Sequence, residues 1–180
     1  MAKVSIIGTG TWGIALGMVL AQNGHEVTAW SALPKEIEAL RESYKCKNLP
    51  GVEIPRSIVF TADLQEACTD KEMLVLSVPS VFTRGVAKQM NPFVKEGQLI
   101  VSVAKGIEEK TLMTMSQQIE EELPMANVAV LSGPSHAEEV SRGIPTTVVA
   151  GAKDRQTAEH IQNLFMSSVF RVYTSPDILG

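Results

Sequence analysis

The sequence has few cysteines, no long apolar run and no excess of basic charge, and each shortage removes a class of protein. Its two cysteines, Cys46 and Cys68, have no neighbouring pair and no metal-ligand spacing. That excludes a disulfide framework and a zinc module, and reads as two reduced thiols in a cytoplasmic protein. No apolar stretch approaches the length of a membrane span. After Lys3 the chain passes directly into Val4-Ser5-Ile6-Ile7-Gly8, a strand and a glycine rather than a leader peptide. A formal net charge of −4 argues against general binding of nucleic acid, a local basic patch aside. There is no internal repeat, no low-complexity segment, no Ser-His-Asp pattern, no H-E-x-x-H and no Walker lysine motif. What is present is an ordinary globular composition, 44% hydrophobic and 20% charged. Over 180 residues it suffices for one sizeable domain with its own core and is tight for two.

Short apolar runs alternate with longer amphipathic ones. The pattern predicts strands over 4–7, 26–30, 58–60, 73–78, 99–103, 128–131, 147–150 and 170–173. It predicts helices over 12–23, 34–44, 80–90, 109–122, 137–142 and 154–166, with Gly24 ending the first and Pro34 opening the second. The near-continuous apolar run that ends at Pro79 suits a parallel strand buried on both faces. The expected fold class is therefore α/β, a doubly wound, mostly parallel sheet of Rossmann type. Glu120-Glu121-Glu122 reads as a solvated helix face. The closing Ser175-Pro176-Asp177-Ile178-Leu179-Gly180 reads as a linker into a further segment, so the domain is expected over 1–174 and the linker from 175 to 180.

Gly8-Thr9-Gly10-Thr11-Trp12-Gly13 has the form G-x-G-x-x-G. Such a match is weak alone, but here it follows an apolar strand and opens an amphipathic helix, which is the context that gives it meaning. Gly8 permits the turn out of the strand, Gly10 lets a pyrophosphate approach the backbone, and Gly13 lets the helix pack on the strand. Exposed backbone N–H groups and the helix dipole then face the phosphate charge. The loop calls for NAD or NADP. The acid that ends the second strand in many NAD domains would fall near Trp30-Ser31-Ala32, where none occurs. Nothing there repels a 2′-phosphate, and Lys35 is the nearest substitute for the usual arginine, so NADP or dual use is favoured over strict NAD.

Ligands of open α/β sheets bind beyond the carboxyl ends of the strands. Three segments should arrive there. In the first, Phe82 either stacks near the cofactor or fills the core. In the second, Lys105 follows a buried strand and precedes Gly106, a place from which its ammonium can meet a phosphate or substrate oxygen. In the third, Gly133 permits close approach and Ser135 offers a hydroxyl that can also cap the next helix. His136 reads as structural rather than catalytic. No residue is a convincing proton donor for a carbonyl.

Taken together these residues resemble the bacterial NAD(P)-dependent glycerol-3-phosphate dehydrogenases over almost the whole chain. The resemblance rests on the glycine loop, Asn23-Gly24-His25-Glu26-Val27, Val78-Pro79-Ser80, Ala104-Lys105-Gly106, Gly133-Pro134-Ser135-His136-Ala137-Glu138-Glu139, and Phe170-Arg171-Val172-Tyr173 with Pro176-Asp177. It implies interconversion of sn-glycerol 3-phosphate and dihydroxyacetone phosphate by hydride transfer, feeding glycerophospholipid synthesis. It also implies that Gly8, Gly10, Thr11, Trp12, Gly13, Ala32, Leu33, Phe82, Lys105 and Ala137 contact the cofactor, and that Lys105, Gly133 and Ser135 contact the substrate. Ala32 and Leu33 occupy the family's cofactor-selecting positions but lack its basic or histidine residue. No metal is implied. The resemblance assigns proton transfer to a lysine in a helical domain beyond Gly180, so the chain by itself is expected to be inactive. A homodimer is one oligomeric state open to the full-length enzyme. The alternatives are a related dehydrogenase domain of ketopantoate reductase or 6-phosphogluconate dehydrogenase type, or a non-catalytic dinucleotide-binding module.

Overall fold

The computed structural model describes residues 1–179. Eight strands form one sheet: β1 (Lys3–Ile7), β2 (Glu26–Trp30), β3 (Val59–Thr61), β4 (Met73–Leu76), β5 (Leu99–Ser102), β6 (Asn127–Ser132), β7 (Thr146–Gly151) and β8 (Phe170–Ser175). Seven α-helices connect them: α1 (Thr11–Gln22), α2 (Pro34–Ser43), α3 (Leu64–Cys68), α4 (Thr83–Met90), α5 (Met115–Glu122), α6 (Ala137–Ser141) and α7 (Arg155–Phe165). The strand order is β3-β2-β1-β4-β5-β6-β7-β8. All pairings are parallel except β6 with β7. The order reverses direction between β1 and β4, and that reversal opens a crevice at the carboxyl ends of the strands.

The sheet is buried on both faces because its strands alternate between two apolar clusters. Val4 and Ile6 of β1, Met73 and Val75 of β4, and Leu99 and Val101 of β5 enter the cluster beneath α1, α2 and α7. Ile7, Leu74, Leu76 and Ile100 enter the opposite cluster with α3, α4 and α5. This period of two explains why the central strands read as unbroken hydrophobic runs.

The expected elements are present, with differences at places where local polar chemistry overrides periodicity. The helix expected from residue 109 begins only at Met115. Thr114 accepts from the Gln117 N–H while Gln117 Oε1 accepts from the Thr114 N–H, a reciprocal cap that starts the helix there. The segment before it turns through Leu112 at φ 59° and is pinned by an antiparallel bridge between Ile107 and Thr114. The stretch expected as one helix from residue 80 begins as a 3-10 turn, Ser80–Phe82, before α4. Helix α3, not foreseen, spans little more than one turn, too short for a periodic signal. It is set by Asp63, whose carboxylate accepts from the Gln65 and Glu66 N–H groups. Strand β8 runs through Ser175, two residues beyond its expected end. Glu121 and Glu122 are not simply solvated, since both pair with Arg84.

Candidate functional site: a dinucleotide cleft

At the end of β1 three elements meet with almost no room between them. Gly8 sits at φ 119°, a conformation that side chains disfavour, and a Cβ there would lie 2.9 Å from the Ser77 carbonyl carbon. A Cβ on Gly13 would overlap the Gly8 carbonyl and the Ser77 hydroxyl. Ser77, just past β4, closes the knot by donating its hydroxyl to the Gly8 carbonyl at 2.8 Å. Gly8 and Gly13 are thus required by the protein's own packing. Gly10 is different. It has ordinary backbone angles, φ −62° and ψ 169°, and a Cβ there would meet nothing within 4 Å. Packing within the chain does not require a glycine there. Gly10 is also the N-cap of α1 and makes no side-chain cap, so the first N–H groups of this 12-residue helix are left for an anion.

The loop lies at the centre of a cleft with two lobes. One, of about 550 Å³, lies toward β2 and is lined by Gly8, Thr9 and Gly10, by 30–33 with Glu36, and by Ser77 to Pro79 with Phe82. Leu33, Val81 and Phe82 present apolar surface along it, being 63%, 80% and 59% exposed. Phe82 is therefore a wall of the cleft and not a core residue. The other lobe, of about 470 Å³, lies toward β5 and β6. It is lined by Gly10, Thr11 and Trp12, by Ser77 to Ser80, by Lys105, and by Ser135, His136 and Ala137. The two lobes share Gly10, Ser77, Val78 and Pro79, so they form one elongated groove across the glycine loop. An extended ligand with a phosphate at its middle fits that shape.

Most of the sequence-derived site residues come together in this groove: Gly8, Gly10, Ala32, Leu33 and Phe82 in one lobe, Thr11, Trp12, Lys105, Ser135 and Ala137 in the other. Gly13 stands behind the loop and supports it. Gly133 does not line the groove. It borders a separate hollow with β7 and Ser175, and a Cβ there would lie 2.9 Å from the Thr147 carbonyl oxygen, so the glycine answers to β7. Its carbonyl nevertheless organises the neighbouring lobe, accepting from Lys105 Nζ at 3.0 Å and from the Ser135 hydroxyl at 3.4 Å. Ser135 does not cap the next helix; His136 holds the N-cap position of α6 without a side-chain bond, and it is exposed. Lys35 is exposed and lines neither lobe.

Three roles escaped the linear reading. Ser77 carries no motif, and its role follows only from the approach of β1, α1 and β4. Glu36 lies in the first turn of α2, so its placement beside the end of β2 depends on the turn between them. Arg84 of α4 is the third. Its Nε and Nη2 pair with the two Glu108 carboxylate oxygens at 2.8 and 2.9 Å, and its Nη1 reaches Glu122 at 2.9 Å and also Glu121. This fork fastens the segment just after Lys105 to α4 and α5. The Arg84 bonds, with one from Thr111, hold the Glu108 carboxyl down at about 2. On the same face of the sheet Cys68 is buried among apolar groups, and desolvation pushes its thiol up to about 12. It is inert as a nucleophile.

A parallel sheet with a crevice at its switch point, a glycine loop with one glycine kept open and an uncapped helix at that loop define a dinucleotide-binding Rossmann-type domain. The comparisons agree with this class and narrow it. The family model described as NAD-dependent glycerol-3-phosphate dehydrogenase N-terminus matches residues 3–158, and the chain belongs to that family. The chain is similar to glycerol-3-phosphate dehydrogenase [NAD(P)+] of Agathobacter rectalis, 61% identical over 100% of this chain and 54% of that protein. It is also similar to the enzyme of the same name from Fusobacterium nucleatum, 51% identical over 100% of this chain and 55% of that protein. A solved glycerol-3-phosphate dehydrogenase from Coxiella burnetii superposes with a TM-score of 0.92 at 27% identity, over 98% of this chain and 55% of that one. The chain thus spans about half the length of the curated relatives it matches.

Proposed function

We propose that residues 1–174 are the cofactor-binding domain of an oxidoreductase that interconverts sn-glycerol 3-phosphate and dihydroxyacetone phosphate, with 175–180 beginning the linker to a helical domain. The observation that carries this reading is Lys105. Its ammonium is anchored on the Gly133 carbonyl at 3.0 Å, beside Ser135 and within the lobe that continues from the glycine loop. An ammonium has three donors, so two remain for a substrate oxygen or phosphate. The family membership supports the same substrate pair over the ketopantoate and phosphogluconate alternatives.

A nicotinamide dinucleotide bound along the groove supplies the hydride acceptor or donor. In the oxidative direction the hydride lost from C2 would pass to that group, and the C2 hydroxyl would give its proton to a base. The chain's residues bind and orient. The α1 amides and Gly10 would take the pyrophosphate, Thr11 and Trp12 would border the nicotinamide half, and Lys105 with Ser135 would align the substrate. This reading assigns the proton-transfer lysine to the helical domain. The expected products feed glycerophospholipid synthesis in the cytoplasm. The test is dihydroxyacetone-phosphate-dependent oxidation of the reduced dinucleotide by the full-length protein, beside calorimetric binding of NADH and NADPH to residues 1–180. Binding with negligible turnover by residues 1–180 and robust turnover by the full-length protein is expected. Robust turnover by residues 1–180 alone would overturn the assignment of the lysine.

A further inference from the structure

We infer that Glu36 makes the β2-side lobe select a dinucleotide with free adenosine-ribose hydroxyls over one carrying a 2′-phosphate, that is, NAD(H) over NADP(H). The inference rests on the dinucleotide reading above and names the specificity of that same groove.

Strand β2 ends at Trp30, the place from which dinucleotide folds usually offer an acid to the ribose. No acid follows in sequence, because Ser31, Ala32 and Leu33 come next. In space the gap is filled. Glu36 lines the lobe together with these three residues and with Gly8 and Gly10. Its carboxylate is held in place, since the buried Ser31 donates its hydroxyl to Glu36 Oε2 at 2.6 Å. The same Ser31 oxygen accepts from the Leu33 N–H at 3.2 Å, and the Glu36 N–H bonds the Leu33 carbonyl at 3.0 Å. The turn from β2 into α2 therefore presents the acid in a defined position. One oxygen is engaged by Ser31 and the other retains its acceptor capacity for ribose hydroxyls.

Charge decides the rest. Glu36 is the only ionisable side chain lining this lobe among the described residues. Lys35 is exposed and does not line the lobe, and the Arg41 guanidinium is bound to the Phe60 carbonyl through Nε at 2.9 Å and Nη2 at 2.6 Å. A 2′-phosphate would bring close to two negative charges beside a fixed carboxylate with no cation to balance them. A ribose with free hydroxyls instead donates to that carboxylate. Leu33, Val81 and Phe82 give the same lobe an apolar rim for the adenine ring, which both dinucleotides share and which cannot discriminate.

The test is calorimetric titration of the protein with NADH and with NADPH at one ionic strength. Wild type should bind NADH at least about tenfold more tightly, the scale expected for an uncompensated charge near a protein surface. Glu36→Gln should bring the two affinities to within about threefold, chiefly by strengthening NADPH, with an unchanged circular dichroism spectrum. Ser31→Ala, which frees the carboxylate without removing its charge, should lie between the two. Equal wild-type affinities, or a ratio unmoved by Glu36→Gln, would overturn the inference. Failure of both dinucleotides to bind would instead remove the dinucleotide reading beneath it.

Discussion

The Ser77 hydroxyl donates to the Gly8 carbonyl at 2.8 Å, joining the end of β4 to the end of β1 at the point where Gly13 brings α1 against both. This contact shapes the groove floor, yet neither partner needs a ligand to explain it. Gly13→Ala should therefore destabilise the fold by about 1–3 kcal/mol, the usual scale for forcing a methyl into a filled space. Urea denaturation measures it; an unshifted midpoint would show that the knot has slack.

Gly10 should behave in the opposite way. A Cβ there meets nothing within 4 Å, so Gly10→Val is expected to fold, at a cost of no more than about 1 kcal/mol for the poorer N-cap, and to lose dinucleotide binding. Undiminished NADH affinity in a titration of this variant would discredit the loop as the pyrophosphate site.

Lys105 separates substrate chemistry from folding. It is exposed and makes one hydrogen bond, to the Gly133 carbonyl. Lys105→Met in the full-length protein should lower kcat/KM for dihydroxyacetone phosphate by at least about a hundredfold, the scale for losing a charge-assisted bond at a reacting ligand. The thermal midpoint should stay put. Unaltered kinetics would return Lys105 to an ordinary surface charge.

The Arg84–Glu108 pair predicts a pH dependence. Glu108 is held down to about 2, chiefly by Arg84, so its contribution to stability is complete above the ordinary glutamate range and is lost as pH falls toward 2. Arg84→Met should be less stable than wild type at pH 7, and the gap should close as pH falls from about 4.5 to about 2. A gap constant over that window would mean that Arg84 acts through packing alone.

Asn23 and His25 line neither lobe of the groove. Asn23 donates its amide to the Leu164 and Met166 carbonyls at 2.9 and 3.3 Å. His25 Nδ1 accepts from the Ala2 N–H at 3.2 Å while Nε2 pairs with the Leu164 carbonyl at 3.1 Å. The segment ties the end of α1 to the end of α7. Asn23→Ala should cost about 1–2 kcal/mol of stability and leave NADH affinity unchanged. A loss of affinity without a loss of stability would argue for a binding role.

Element type and order were legible because both carry a period. β1, β4 and β5 are continuous apolar runs, and α7 shows its buried face through Ala158, Ile161 and Leu164. The glycine loop was legible because a strand, a spacing and a helix coincide within a few residues. The start of α5 and the existence of α3 were not, because the reciprocal bonds of Thr114 and Gln117, and the cap at Asp63, act over distances too short to leave a periodic trace.

By itself, then, the sequence determined a doubly wound α/β sheet, a glycine loop at Gly8 to Gly13 between strand and helix, and a lysine at the carboxyl edge of the sheet. Hydrophobic period and glycine spacing are local properties of a chain. Only the tertiary structure decided which glycines packing requires and which it leaves open, since that depends on whether another strand fills the space beside each one. It alone put Gly133 under β7 and a carboxylate back beside β2, because Glu36 reaches the lobe through a turn of helix and a serine hydroxyl, not through its position in the sequence.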